Sequence, residues 1–231
     1  MNTKADLKKG KKRKFKKRYW LLVDLAVAAV ILALLLYKPA SYDPAGAGYK
    51  TGRVHSYLTY LSSEIYNGAQ LREPFEVVVI EKELNEAIVN WSQESESISL
   101  SSPVVRFEPG CIELMALADM KGVELVVTVG LECQIGEQGL LNLQVTKVKV
   151  GAMNITPLAR IIARRMYTQQ IMSMPIDTED WRAKVAGALL NDEPFDPVFT
   201  VEDKKVRLEK IAIAEKKLIL NFTPETKENP L

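Results

Sequence analysis

The sequence predicts an α+β fold: a long, curved antiparallel β-sheet wrapped around amphipathic helices and preceded by one N-terminal transmembrane helix. Three observations predict it. Residues 19–37, YWLLVDLAVAAVILALLLY, form an apolar run with a single charge, Asp24. Between residues 103 and 155 the chain holds four consecutive strand-like runs separated by glycine-bearing turns, and such a series demands antiparallel neighbours. Within two strand-like runs the apolar phase slips by one residue. That is what a β-bulge produces, and bulges bend sheets.

The apolar run comes first in the chain. Residues 1–18 carry ten Lys or Arg against Asp6, a balance of +9, so the net charge of +2 leaves −7 for residues 19–231. A basic tail can signal nucleic acid. Here it abuts a run of 19 residues, apolar but for Asp24, which as a helix reach about 28 Å, close to the hydrocarbon thickness of a bilayer. Lys38 and Pro39 end the run, with Tyr19, Trp20 and Tyr37 at the positions of interfacial aromatics. The tail therefore reads as a cytoplasmic topology signal (1–18), followed by a single-pass, uncleaved membrane anchor (19–38). The C-terminal domain is placed outside the cytoplasm. A cleaved signal peptide fits less well, because the apolar run exceeds the usual length and Ala45-Gly46-Ala47 lies too far beyond it. Asp24, about one turn into the span, can snorkel to the inner interface.

Residues 39–49 have the Pro, Gly, Ala and Ser content of a linker, and an extracytoplasmic domain follows over 50–224 with a polar tail at 225–231. Val54, Tyr57, Leu58, Leu61 and Ile65 repeat at helical spacing up to a stop at Asn67-Gly68. The run FEVVVI (75–80) is a strand. Leu84, Ala87, Ile88 and Trp91 then form one helical stripe, and 92–102 is a polar loop. In GVELVVTVGLECQI (122–135) the odd positions from Val123 to Ile135 are apolar, so one face of this strand carries seven apolar side chains. In the next strand Leu141, Leu143 and Val145 are odd while Val148, Val150 and Ala152 are even; Val206 and Leu208 against Ile211 and Ile213 repeat the slip. Thr156 caps and Pro157 opens a helix lined by Leu158, Ile161, Ile162 and Met166. A second helix begins at Asp177 or Thr178 with Trp181, Val185 and Leu189 facing in, and three antiparallel strands close the chain.

The chemistry-bearing residues are sparse. His55 is the only histidine, which removes a Ser–His or Cys–His dyad from the body of the domain and any His-based zinc site. Two cysteines are too few for a thiolate metal site. Cys111 and Cys133 fall on opposite faces of a sheet, so no disulfide is predicted. No nucleotide-binding glycine loop occurs. Glu113 and Glu124 could face each other across a hairpin, on its wet face. No catalytic residue, metal or cofactor is predicted, and the chain reads as non-enzymatic. What remains is the concave apolar face, which the helices either fill as a plain core or leave open as a groove.

The ordered pieces FEVVVIEKELNEAIVNW, VVRFEPGCIEL, GEQGLLNLQVTKVKVGAMNITPLARII and VFTVEDKKVRLEKIAIAEKKLILNF cover roughly 75–222. Together they resemble the tubular lipid-binding (TULIP-like) superfamily, in particular the YpmS-like bacterial membrane-anchored proteins. The resemblance implies a curved sheet around a long helix, with lipid binding in some members and no known activity in many. The expected function is then a membrane-anchored module that binds or shuttles lipid in the cell envelope, with membrane lipid as partner and no nucleic acid. The alternative is an envelope interaction protein with a closed core and a protein partner. The candidate ligand lining is Leu125, Val127, Val129, Leu131, Leu141 and Leu143 from the strands and Ile88, Trp91, Ile161 and Met166 from the helices. Arg160, Arg164 and Arg165 either meet lipid headgroups or form a solvated helix face. The odd residues Val123–Ile135 are all expected to face inward against the helices, with Glu124, Thr128 and Glu132 in solvent. The packed end lies near Cys133 and Ile135 and the groove near Val127.

Overall fold

Two antiparallel sheets share the strands that the sequence suggests belong to one. In the computed structural model, residues 4–44, 54–71, 73–94, 100–173 and 181–225 are described; side chains are described from Tyr19 onward, those of 54–56, 89–94, 100, 166–173 and 182 excepted. The elements run α1 (Lys4–Leu35), α2 (Val54–Gln70), β1 (Phe75–Ile80), α3 (Glu81–Glu94), β2 (Leu100–Glu108), β3 (Cys111–Met120), β4 (Val123–Ile135), β5 (Leu141–Val150), β6 (Met153–Asn154), α4 (Thr156–Ser173), α5 (Trp181–Asn191), β7 (Val198–Val201), β8 (Lys204–Ala214) and β9 (Lys217–Glu225). One sheet has the order β1-β9-β8-β7 and the other β2-β3-β4-β5-β6, all neighbours antiparallel. The fold is α+β with an antiparallel meander, and neither sheet closes into a barrel.

The break into two sheets falls at the β2 edge, and the chain manages that edge with side chains. Asn85 of α3 donates from Nδ2 to the Val105 carbonyl at 2.7 Å and accepts from the Val105 N–H at Oδ1 at 2.6 Å. Glu81 Oε2 accepts from the Phe107 N–H at 2.5 Å. An edge strand presents unpaired donors and acceptors that invite aggregation, and α3 satisfies them here. Two backbone bonds then join the sheets: Lys216 N donates to Phe107 O and Gly110 N donates to Ile213 O. An isolated bridge between Leu141 and Phe195, whose two residues exchange both backbone bonds, ties β5 to the segment before β7.

Both anticipated phase slips are bulges. In the β4–β5 pairing Gly130 faces Lys147 and Leu131 faces Val145, leaving Thr146 extra; in β8–β9, Glu209 is extra between Leu208 and Lys210. The slips let each strand keep apolar residues inward on both sides of a bend.

The core lies between the sheets and α2. Ala69, Val77, Leu141, Val206, Leu208 and Phe222 form one buried cluster; Val79, Val105 and Phe107 form a second. Leu61 of α2 and Leu220 of β9 pack against both. The expected helix stop at Asn67-Gly68 does not occur, because Gly68 is a packing glycine. A Cβ there would enter the Phe75 ring, which stacks on Phe222 with centroids 5.4 Å apart, so α2 continues to Gln70.

Other expectations are corrected too. Leu100–Ser102, assigned to the polar loop, begin β2. Thr156 does not cap its own helix. Its hydroxyl accepts from Val148 N and donates to Asn154 Oδ1, while Asn154 Oδ1 accepts the Thr156 N–H. Helix α5 starts at Trp181, which is exposed, whereas Ala188 takes the buried place. The proposed start at Asp177 or Thr178 lies outside the described residues.

Glu113 is buried rather than solvated, and it does not face Glu124. Register places Glu113 opposite Gly130 and Glu124 opposite Asp119. Lys147, on the far side of Gly130, reaches across that missing side chain to ion-pair with Glu113. The hydrogen bond to Glu113 raises the Lys147 pKa above the ordinary lysine value. The pair's contribution is thus complete below the unfolded lysine pKa and is lost as pH climbs through the raised folded value. Breaking a buried pair leaves an uncompensated charge and costs about 3–5 kcal/mol. The lysine end is a third exposed, so Lys147→Ala is expected to cost roughly 1–3 kcal/mol. Urea denaturation should show Glu113→Gln/Lys147→Met recovering most of that loss.

Candidate functional site

The two faces of the five-stranded sheet differ, and pairing defines them. On one face the rungs are Phe107–Ile112–Leu131–Val145, then Val105–Leu114–Val129–Val148, then Ala116–Val127–Val150, and last Ala118–Leu125. The first rung belongs to the closed end: Phe107 and Ile112 enter the second core cluster, and Ile135, Leu141 and Leu143 enter the first. Toward the other end the packing thins. Leu114 is 38% exposed, and Val127, Val129, Val148 and Val150 are half-buried. Ala116 and Ala118 supply little bulk, so the apolar surface there is a shallow strip rather than a filled core.

The opposite face does not match the expectation of a wet surface. Thr128 is 5% exposed and Val126 1%, alongside buried Val104 and Met115. The cover is the segment assigned to the linker. Lys38 ion-pairs with Glu124 at 3.6 Å, the Ser41 hydroxyl contacts Met115 Sδ, and the Tyr42 hydroxyl donates to Ser102 O at 2.9 Å. Residues 38–42 thus cross β4, β3 and β2. Conversely Val123, expected to face inward, is 44% exposed at the sheet's tip, where no helix reaches it.

The anticipated lining residues divide between these regions. Leu125, Val127, Val129 and Leu131 share the strip's face, with Leu125 buried and the others half-buried. Leu141, Leu143 and Ile88 pack into the closed core instead. Ile161 is 67% exposed, with Leu158 and Ile162 beside it. Helix α4 turns its small residues Ala159 and Ala163 inward, and they are half-buried. The side chains of Trp91 and Met166 lie outside the described residues. Among the arginines, Arg160 donates to Val145 O, Arg164 donates to Leu190 O and pairs with Asp192, and Arg165 is exposed. The first two therefore pin α4 to its neighbours.

Helix α1 meets this sheet at the strip's open end. Gly151, at φ +59°, donates to Val126 O, and the Ala152 N–H donates to Leu34 O at 2.8 Å. A Cβ on Gly151 would collide with the Leu34 and Leu35 carbonyl oxygens. The glycine admits the last turn of α1, whose free carbonyls need donors. Along α1 and just past its end, from Tyr19 to Tyr37, large apolar side chains are presented outward with little cover. Among the described residues no helix is long and apolar enough to cross a membrane.

A separate cavity of about 420 Å³ lies between α2, β1 and α3, lined by Tyr57, Tyr60, Glu64, Glu76, Val78, Ile80 and Glu83. The two tyrosine rings stack at 6.3 Å, Tyr57 Oη accepts from the Ile80 N–H, and Tyr60 donates to Glu64. Burial raises the Tyr57 pKa, and the bond to Glu64 raises that of Tyr60. Three carboxylates beside aromatic rings disfavour an anion.

Among the described residues no group of His, Cys, Asp and Glu is placed to hold a metal ion. Both cysteines are free. Burial pushes the Cys133 thiol up to about 11, and burial also raises Cys111. Neither is poised as a nucleophile, since the thiolate is the reactive form. Comparison with protein-family models, with characterised proteins and with solved structures finds no match.

Two outcomes follow from these placements. Iodoacetamide at pH 8 should alkylate Cys133 more slowly than Cys111 by peptide mass spectrometry, the Cys133 rate rising about tenfold per pH unit toward pH 11 as thiolate forms. Gly151→Ala should detach α1 from the sheet without unfolding it, because a backbone carbonyl cannot rotate away as a side chain can. Chymotrypsin cleavage after Tyr37, slow while the adjoining Lys38 pairs with Glu124, should accelerate severalfold.

Proposed function

We propose that the protein is a membrane-anchored, non-enzymatic module of the cell envelope that binds or shuttles a lipid or similar apolar ligand, related to the TULIP-like superfamily. The observation that carries this reading is the half-covered apolar strip of Leu114, Val127, Val129, Val148 and Val150, ending where α1 joins the sheet. Burying an apolar side chain is worth about 1.5–3 kcal/mol, so a strip left part-open gains from an acyl chain laid along it. The membrane placement rests on the uncovered apolar surface of α1 and on the apolar run that continues to Tyr37. A helix apolar all round belongs inside a protein core or a bilayer. With the basic residues 1–18 on the cytoplasmic side, the domain faces outward.

A ligand entering the strip at its α1 end would come directly from the leaflet and slide toward Leu131. The bulge at Thr146 and the core beyond it bound the strip there. The chain's role is then shielding and orientation, with no bond made or broken.

Native mass spectrometry of the detergent-extracted full chain is expected to show co-purified lipid. Val127→Asp is expected to abolish retention and exchange of a fluorescent fatty acid while circular dichroism stays native, because a strip open to solvent can hydrate a carboxylate. An unfolded Val127→Asp variant would mean a closed core, since an unpaired buried charge is not tolerated there. A wild-type chain with neither lipid nor probe exchange refutes the reading outright.

A further inference from the structure

The β3–β4 hairpin ends in Met120-Lys121-Gly122-Val123, with Lys121 at φ +57° and Gly122 at φ +83°. Asp119 Oδ1 accepts the Gly122 N–H at 2.8 Å and holds the turn. A tight two-residue turn of this kind is a rigid support. On it Met120 is 63% exposed and Val123 is 44% exposed, directly opposite each other, although nothing in the turn's geometry requires apolar residues there.

The position of this tip is set by its neighbours. Glu124, the residue after Val123, pairs with Lys38. Gly151 and Ala152, which receive the last turn of α1, are tied to Val126 on the same strand. The hairpin tip therefore projects beyond the joint between α1 and the sheet, beside the residues that immediately follow the apolar helix. The opposite end of the same strand, at Ile135 and Gly136, lies in and beyond the core cluster.

We infer that Met120 and Val123 dip into the outer leaflet of the bilayer that holds α1, with Lys121 at the level of the lipid phosphates. This rests on the anchor reading of α1. Amphipathic elements bind an interface by burying apolar area and adding charge attraction to anionic lipid. Met and Val flanking a lysine at a projecting turn supply both. The contact would fix the domain's tilt and bring the strip's open end, at Leu125 and Val127, against the leaflet.

The test is made on the full chain in phosphatidylcholine–phosphatidylglycerol vesicles, with Cys111→Ser and Cys133→Ala removing the native thiols. Single cysteines at Met120, at Ala29 in α1 and at Glu137 in the β4–β5 turn carry an environment-sensitive NBD label, and doxyl-labelled lipids serve as quenchers. Circular dichroism checks each variant against the parent. Strong quenching at both positions 120 and 29, with none at 137, is the expected result. Quenching at 29 but not at 120 overturns the tip proposal and leaves the anchor standing. A blue-shifted but unquenched label at 120 also overturns it, assigning the tip to a protein surface or a second copy. No quenching at 29 overturns both.

Discussion

Burial of the two sheets' facing apolar sides, sealed along one edge by α2, holds the molecule together. Each sheet has an apolar face that must be covered, and neither is large enough to cover itself. Leu61, Ile65 and Ala69 of α2 supply the shared surface, and Leu61 with Leu220 touches both buried clusters. Gly68 lets the helix approach Phe75 closely enough for that seam to close. The sheets also pack on each other directly, Leu141 against Val206, Leu208 and Phe222 and Phe107 against the Val79 cluster, with backbone bonds at Phe107 and Gly110 beside them.

That seam also decides where the interior ends. It reaches the rungs of Phe107, Ile112, Ile135 and Leu141 and no further along β4. Beyond it the strands continue with apolar residues that α2 does not reach, and although α4 and α5 lie against β5, Val127, Val129, Val148 and Val150 remain half-covered. The strip is thus a consequence of length: β4 has 13 residues, longer than the α2 seam can serve. The opposite face of the same strands is closed by residues 38–42, which occupy it with one ion pair, a sulfur contact and a hydroxyl bond. One strand therefore has a largely polar face that is buried at Val126 and Thr128 and an apolar face that is only half-covered at Val127 and Val129.

The joint between α1 and the sheet couples the two halves of the molecule mechanically. A flexible linker would let the domain tumble relative to its helix. Here Gly151 and Ala152 hold the last turn of α1, and Lys38 holds the next segment. The strip's open end therefore lies beside the last turn of α1.

The sequence by itself determined the strand run, the two bulges and the helices carrying Leu84–Trp91 and opening at Thr156-Pro157, because each leaves a local periodicity of 2 or 3.6 that packing must honour, although residues 92–94, which read as loop, continue the first helix. The odd face of 123–135 was legible as apolar for the same reason. Which parts of that face are covered was decided only by tertiary structure. Periodicity reports which side a residue takes, while cover comes from distant segments, such as 38–42 across β4, β3 and β2 or the Val206, Leu208 and Phe222 cluster against Ile135. Gly68 and Gly151 illustrate the same limit. Gly68 reads as a helix stop and Gly151 as one residue of a strand run, yet each is a glycine because another segment, the Phe75 ring or the carbonyls of α1, occupies the space of its missing side chain.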